Sequence, residues 1–237
     1  MPAVVVFDCF DTLVLSRPLP GPDHFTARVA EVLGLPPRRA AEVVGTVMGA
    51  VLTAMSDPAA LQPPTLALLE DALREHGEQR GRAELEEALW QGLGCADPDQ
   101  YALCRPMAEA MHPITAAGHT VRLMSNCYLP GPLMHRLLLG LRVPQLYDRA
   151  LFSADGGPKK PDPRAFRLIG DGAFDRRVMV GDSAELDIEP ARALGWETVQ
   201  VNPARPDPAE LLALLESGDG AGEDGRADSR SAQRNTS

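Results

Sequence analysis

Lysine is almost absent from this chain: Lys159 and Lys160 stand alone among 23 cationic side chains in 237 residues. Positive charge is scarce altogether, with a net charge of -10 and a pI of about 5.0. That balance argues against a nucleic-acid partner or an anionic membrane surface. Long apolar runs are missing too: none approaches the ~20 residues that cross a bilayer. No basic segment precedes an apolar stretch at the start, so no secretion signal is expected. The four cysteines, Cys9, Cys95, Cys104 and Cys127, lack paired or metal-type spacing. That excludes a disulfide framework and makes a reduced, cytoplasmic location the expectation.

What is present fits a soluble protein with a sizeable core: 44% hydrophobic residues at a mean hydropathy of -0.14. Where arginine is so strongly favoured, a lysine points to a role that needs a compact charge with rotatable donors. The arginine and alanine bias is that of a GC-rich bacterial genome. The five histidines are scattered and read as structural or surface residues.

The stretch Val4–Leu13, VVVFDCFDTL, organises the rest. A short apolar run rich in β-branched residues reads as a strand buried on both faces. Asp8 ends it, at the edge of a parallel α/β sheet where ligands bind. Helical periodicity follows in five segments, near 23–34, 40–54, 65–76 and 83–93, with the fifth opening at Pro98 and carrying Leu103, Met107 and Met111. No strand is expected among them. From His119 the period changes. Strands at 119–125, 149–152, 177–180 and 197–201 alternate with helices at 130–141, 162–170, 188–194 and 208–215. Short connections in that alternation imply right-handed crossovers and a parallel sheet covered on both faces. The expected organisation is an α/β core from 1–15 and 106–216, an all-helical insert at 16–105, and a disordered tail at 217–237, which lacks large apolar residues.

Three acidic or hydroxyl groups end core strands: Asp8, Ser125 and Asp182. Lys160 lies in the loop after the short strand at 149–152. Each admits a plain reading. Ser125-Asn126 would cap a helix, Asp162 and Pro163 would start one, and Gly181-Asp182-Ser183 would be a strand-to-helix turn. Lys159 reads as solvated and Cys127 as a packed thiol.

Taken in order, FDCFDTL, LMSNC, KKPDPRAF and VGDSAELD resemble the four motifs of the haloacid dehalogenase-like (HAD) hydrolases, from Pro2 to about Leu215. The helical insert resembles that family's C1 cap. The resemblance implies a Rossmann-like core with a five-stranded parallel sheet in the order 5-4-1-2-3. It implies that Asp8 attacks phosphorus to form an aspartyl-phosphate, which water then hydrolyses. It implies Mg²⁺ held by the Asp8 carboxylate, the Phe10 backbone carbonyl and Asp182. Thr12 would orient the nucleophile, Ser125 and Asn126 would bind substrate with Lys160, and Lys160 would stabilise transition-state charge. Asp187, with Ser183 in support, would orient Lys160 or a metal-bound water. The substrate would be a small phosphorylated metabolite; its identity and the oligomeric state are left open.

One position departs from the pattern. Most phosphatases of the family carry an Asp two residues after the nucleophile, as general acid and base; here that residue is Phe10. Asp11, next to it, should point elsewhere. Some relatives without the acid are still phosphatases. A 2-haloacid dehalogenase also carries an aromatic there, uses no metal and needs a cap arginine, which Arg38 or Arg39 would supply. A catalytically impaired binding protein is the third reading. A phosphonoacetaldehyde hydrolase needs a cap lysine, and none precedes Lys159.

Overall fold

The computed structural model describes residues 2–219. Strand β1 (Ala3–Phe7) is buried along its whole length and lies at the centre of a five-stranded parallel sheet. It pairs with β4 (Thr120–Ser125) on one side and β6 (Arg176–Gly181) on the other. Strands β5 (Tyr147–Phe152) and β7 (Glu197–Gln200) form the edges, giving β5-β4-β1-β6-β7. Numbered among core strands alone and read from the β7 edge, this is the expected order 5-4-1-2-3.

Alternation along β1 divides the core in two. Ala3, Val5 and Phe7 face a large cluster with α5 (Arg105–Ala116), α6 (Gly131–Gly140) and α9 (Ala209–Asp219), through Met107, Met111, Leu137 and Leu211. Val4 and Val6 face a smaller cluster with Phe166 and Ile169 of α7 (Pro163–Ile169) and Ala191 of α8 (Glu189–Ala193). There Phe166 meets Trp196 edge-on at 5.8 Å. Each such side chain, fully buried, contributes ~1.5–3 kcal/mol, so β1 is fixed from both faces and Asp8 inherits that rigidity. The tail expected from 217 lies outside the described residues save for 217–219, which close α9.

Four helices fill the insert: α1 (Pro22–Leu33), α2 (Pro37–Ser56), α3 (Thr65–Glu75) and α4 (Arg82–Gly92). In α1, Phe25, Val29 and Leu33 recur at helical spacing and are buried. The α1–α4 crossing is close enough that a Cβ at Gly92 would lie 2.0 Å from the Phe25 ring. The sequence reading expects this stretch to be all helical, and it is not. Residues Val14–Ser16 (β2) and Tyr101–Leu103 (β3) pair antiparallel where the chain enters and leaves the insert. The fifth helix therefore starts at Arg105, not at Pro98. A three-residue strand shows too little period to be read locally, and partner strands 87 residues apart supply the pairing.

The turn joining α2 to α3 is docked on the core. Lys159 Nζ donates to the carbonyls of Asp57 and Ala60, both at 2.7 Å, and is 4% exposed. Gln62 donates through its backbone to Gly157 O at 3.0 Å and through Nε2 to Cys127 O at 2.7 Å. Arg164 reaches Ala59 O. The solvated reading of Lys159 is thus corrected: the docked turn covers it and supplies two carbonyl acceptors.

Candidate active site

Asp8 leaves β1 at its C-terminal end, with its backbone N–H bonded to Val180 O at 2.8 Å, so the ladder continues through it. Lys160 comes from the loop after β5. Its Nζ donates to Asp8 Oδ1 at 2.6 Å and to Asp187 Oδ1 at 2.5 Å, with only 3% of the residue exposed. Asp187 is fully buried and reaches this point because residues 184–188 form one wide π-type turn, not the start of a regular helix. Ser183 caps that turn, its Oγ accepting from Leu186 N, and donates its own backbone N–H to Asp187 Oδ2 at 3.1 Å. Gly181 is needed beneath it: a Cβ there would lie 2.4 Å from Asp187 Cγ.

Asp182 completes the cluster. Carboxylate oxygens of Asp8, Asp182 and Asp187 all lie within 4.8 Å of one another. Three carboxylates face one ammonium, and the electrostatics reflect it. Burial, reinforced by Asp187, pushes the Asp8 carboxyl up to about 7 although the Lys160 ammonium pulls it down. Burial and Asp187 also raise Asp182. Burial works against the Lys160 charge, but Asp8 and Asp187 outweigh it and hold the ammonium above its ordinary value. Crowded hard oxygens with excess negative charge suit a divalent cation such as Mg²⁺.

Two hydroxyls nearby are buried and unpaired. Thr12 Oγ1 is inaccessible and hydrogen-bonded to nothing. Ser125 Oγ, at the end of β4, lies beside the Cys9 thiol without a bond of good geometry. Buried polar atoms are rarely left unsatisfied, so both hydroxyls are available as donors.

Both ends of the Asn126 amide are engaged with the backbone of Lys160. Nδ2 donates to Lys160 O at 2.7 Å, and Oδ1 accepts from Lys160 N at 2.9 Å. It acts on the site by fixing the lysine's backbone. Ser125-Asn126 does not cap the following helix either: α6 begins at Gly131, whose N–H is bonded to Asp155. Asp162 does cap α7, accepting from Arg164 N, and bonds from Arg164 hold its carboxyl below the usual range. Phe10 stands 5.9 Å from Tyr101, centroid to centroid. Asp11, in the left-handed region at φ 58, exerts its charge on Asp182. Arg38 and Arg39 are not brought to the cluster: Arg38 pairs with Glu42 and Arg39 donates to His76 O, both on the insert.

Lys159, Asn126 and Gly181 are the positions whose roles the sequence reading misses. Only Lys159 carries a signal, its rarity.

Residues 144–221 match a family model described as HAD-hydrolase-like. No curated protein matches the chain. Among solved structures, a HAD-hydrolase candidate from Bacillus subtilis, YfnB, bound to magnesium, is 16% identical with a TM-score of 0.52, over 91% of this chain and 99% of that one. A phosphoglycolate phosphatase candidate from Haemophilus somnus is 19% identical at 0.51, over 90% and 97%. A β-phosphoglucomutase candidate from Thermotoga maritima is 21% identical at 0.50, over 92% of each.

Proposed function

We propose, from the premise that this chain is a HAD-like hydrolase in fold and in the sequence of its C-terminal third, that it hydrolyses a small phosphate ester through a covalent intermediate on Asp8. The observation that carries this is Lys160 held between Asp8 and Asp187 with Asp182 alongside. Mg²⁺, held by Asp8, the Phe10 carbonyl and Asp182, would offset the charge of phosphate against carboxylate.

The chain's own groups divide the remaining work. The Asp8 oxygen not bonded to Lys160 attacks phosphorus. Lys160, an ammonium throughout, balances the charge that gathers on the phosphoryl oxygens. Ser125 donates its spare hydroxyl to the same oxygens, and Thr12 orients the nucleophile. Asp187 and Asn126 fix the lysine, one at its ammonium and the other at its backbone. The helical insert acts as a lid that excludes water. The dehalogenase reading is disfavoured by the three clustered carboxylates and by the placement of Arg38 and Arg39.

Phosphate and halide release measured in parallel, with and without chelator, test the proposal. Phosphate release that needs Mg²⁺ and is abolished by Asp8→Asn is expected. Halide release insensitive to chelator, or turnover indifferent to Asp8→Asn, would overturn it.

A further inference from the structure

Past the C-terminal ends of β1 and β4 lies a cavity of about 200 Å³. Phe10, Leu19, Leu93, Tyr101, Tyr128 and Leu129 form most of its wall. Phe10 is two residues from Asp8, and Asn126, also lining it, follows Ser125 directly. Residues that follow Asp8 and Ser125 in the chain thus form part of the wall, which makes this cavity the candidate space for the organic part of a phosphate ester.

Its chemistry is restrictive, because no lining residue is charged. Its polar side chains are largely engaged elsewhere. Tyr101 donates to Leu93 O at 2.9 Å, Tyr128 to Met55 Sδ at 3.1 Å, and Cys127 to Leu129 O at 3.3 Å. Both ends of the Asn126 amide are held by Lys160. Only Ser16 brings a spare hydroxyl. A carboxylate or second phosphate would find no cation here, and a sugar would leave most of its hydroxyls unpaired. The volume suits one ring, since an apolar cavity of ~150 Å³ accommodates benzene.

The wall holds no carboxylic acid. With no acid in the wall to protonate it, a leaving oxygen that is stable as an anion is favoured. An alkoxide is too basic for that. A phenol-type hydroxyl ionises near ~10 and leaves readily.

We infer that the site takes the phosphate monoester of a small, uncharged, planar phenol or enol, with its ring in this cavity. The inference rests on the proposed phosphatase reading. The Asp8 carboxylate bonds to phosphorus as the P–O bond to the ring oxygen breaks, and that electron pair leaves on the ring oxygen. Water then attacks phosphorus and frees Asp8. Its two protons end on the phenol and the released phosphate, so one ester and one water give one phenol and one hydrogen phosphate.

Turnover of phenyl, benzyl and carboxymethyl (glycolate) phosphates with Mg²⁺, beside calorimetric binding of phenylphosphonate and methylphosphonate, tests this. Phenyl phosphate is expected to exceed benzyl phosphate in kcat/KM by ~10²-fold, the lower range of what a general acid contributes. Phenylphosphonate should bind at least ~10-fold more tightly than methylphosphonate, the gain from burying a ring. Phe10→Asp should raise the ratio of benzyl to phenyl turnover at least ~10-fold, with circular dichroism and the urea midpoint reporting that the variant is folded. Glycolate or benzyl phosphate turned over as well as phenyl phosphate, or equal binding of the two phosphonates, overturns this inference and leaves the phosphatase reading intact. No turnover of any ester overturns both.

Discussion

Asp187 is held at the site by three contacts of different kinds: the Lys160 ammonium, the Ser183 N–H and the bare α-carbon of Gly181. The glycine is the least obvious and the easiest to test. Its backbone is unexceptional, and what it supplies is room. A methyl at Gly181 would occupy the space of the Asp187 carboxyl, so the acid must move and Lys160 loses one of its two partners. Gly181→Ala is therefore expected to lower kcat by ~10²-fold, as loss of one preorganised electrostatic contact does, with KM little changed. Overpacking should also cost about 1–3 kcal/mol of stability. Steady-state kinetics beside urea unfolding separates the two effects: a stability loss with unaltered kcat would mean that Asp187 does not position the lysine.

Between α2 and α3 a short turn ties the insert to the loop that carries Lys160. The neighbouring lysines divide the work, Lys160 facing the carboxylates and Lys159 facing the turn. Lys159→Met keeps the stem but loses both bonds to carbonyls, each charge-assisted bond being worth about 1.5–3 kcal/mol. Hydrogen exchange should accelerate in 57–64 while β1, β4 and β6 keep their protection. Uniform acceleration, or none, would show that the turn is held by other means. This arrangement also marks where the sequence becomes silent. The apolar run ending in Asp8 announces β1 because a doubly buried strand is written in consecutive residues. The carboxylates and Lys160 follow from motif order at strand ends. Nothing local distinguishes Lys159 from Lys160, since burial of the first depends on a turn about 100 residues earlier in the chain. Asn126 is silent for the same reason: its partner lies 34 residues on. The ribbon of β2 and β3 has three residues per strand, too few for a pattern.

Across the whole molecule the thiols set an alkaline limit. Burial pushes Cys127 and Cys95 up to about 12 and raises Cys9 well above its ordinary value. Unfolded thiols ionise near ~8.5. Above that pH the unfolded chain has shed protons that the native chain keeps, so stability falls as pH rises. The window opens near the unfolded value and extends to about 12 for Cys127 and Cys95. Urea midpoints should hold below the window and decline through it. Labelling in the native state should reach half-buried Cys95 before Cys9, Cys104 or Cys127, which are buried. A flat midpoint across the window would contradict this account. Finally, the β2–β3 ribbon brings the two ends of a long excursion side by side, one strand spacing of ~4.8 Å apart. Along the chain, 17–100 leaves and rejoins the core at that one ribbon, and its 57–62 turn docks on the core a second time. Another module with adjacent termini could be grafted there without re-registering a strand, provided that it offered carbonyls to Lys159 in place of the 57–60 turn.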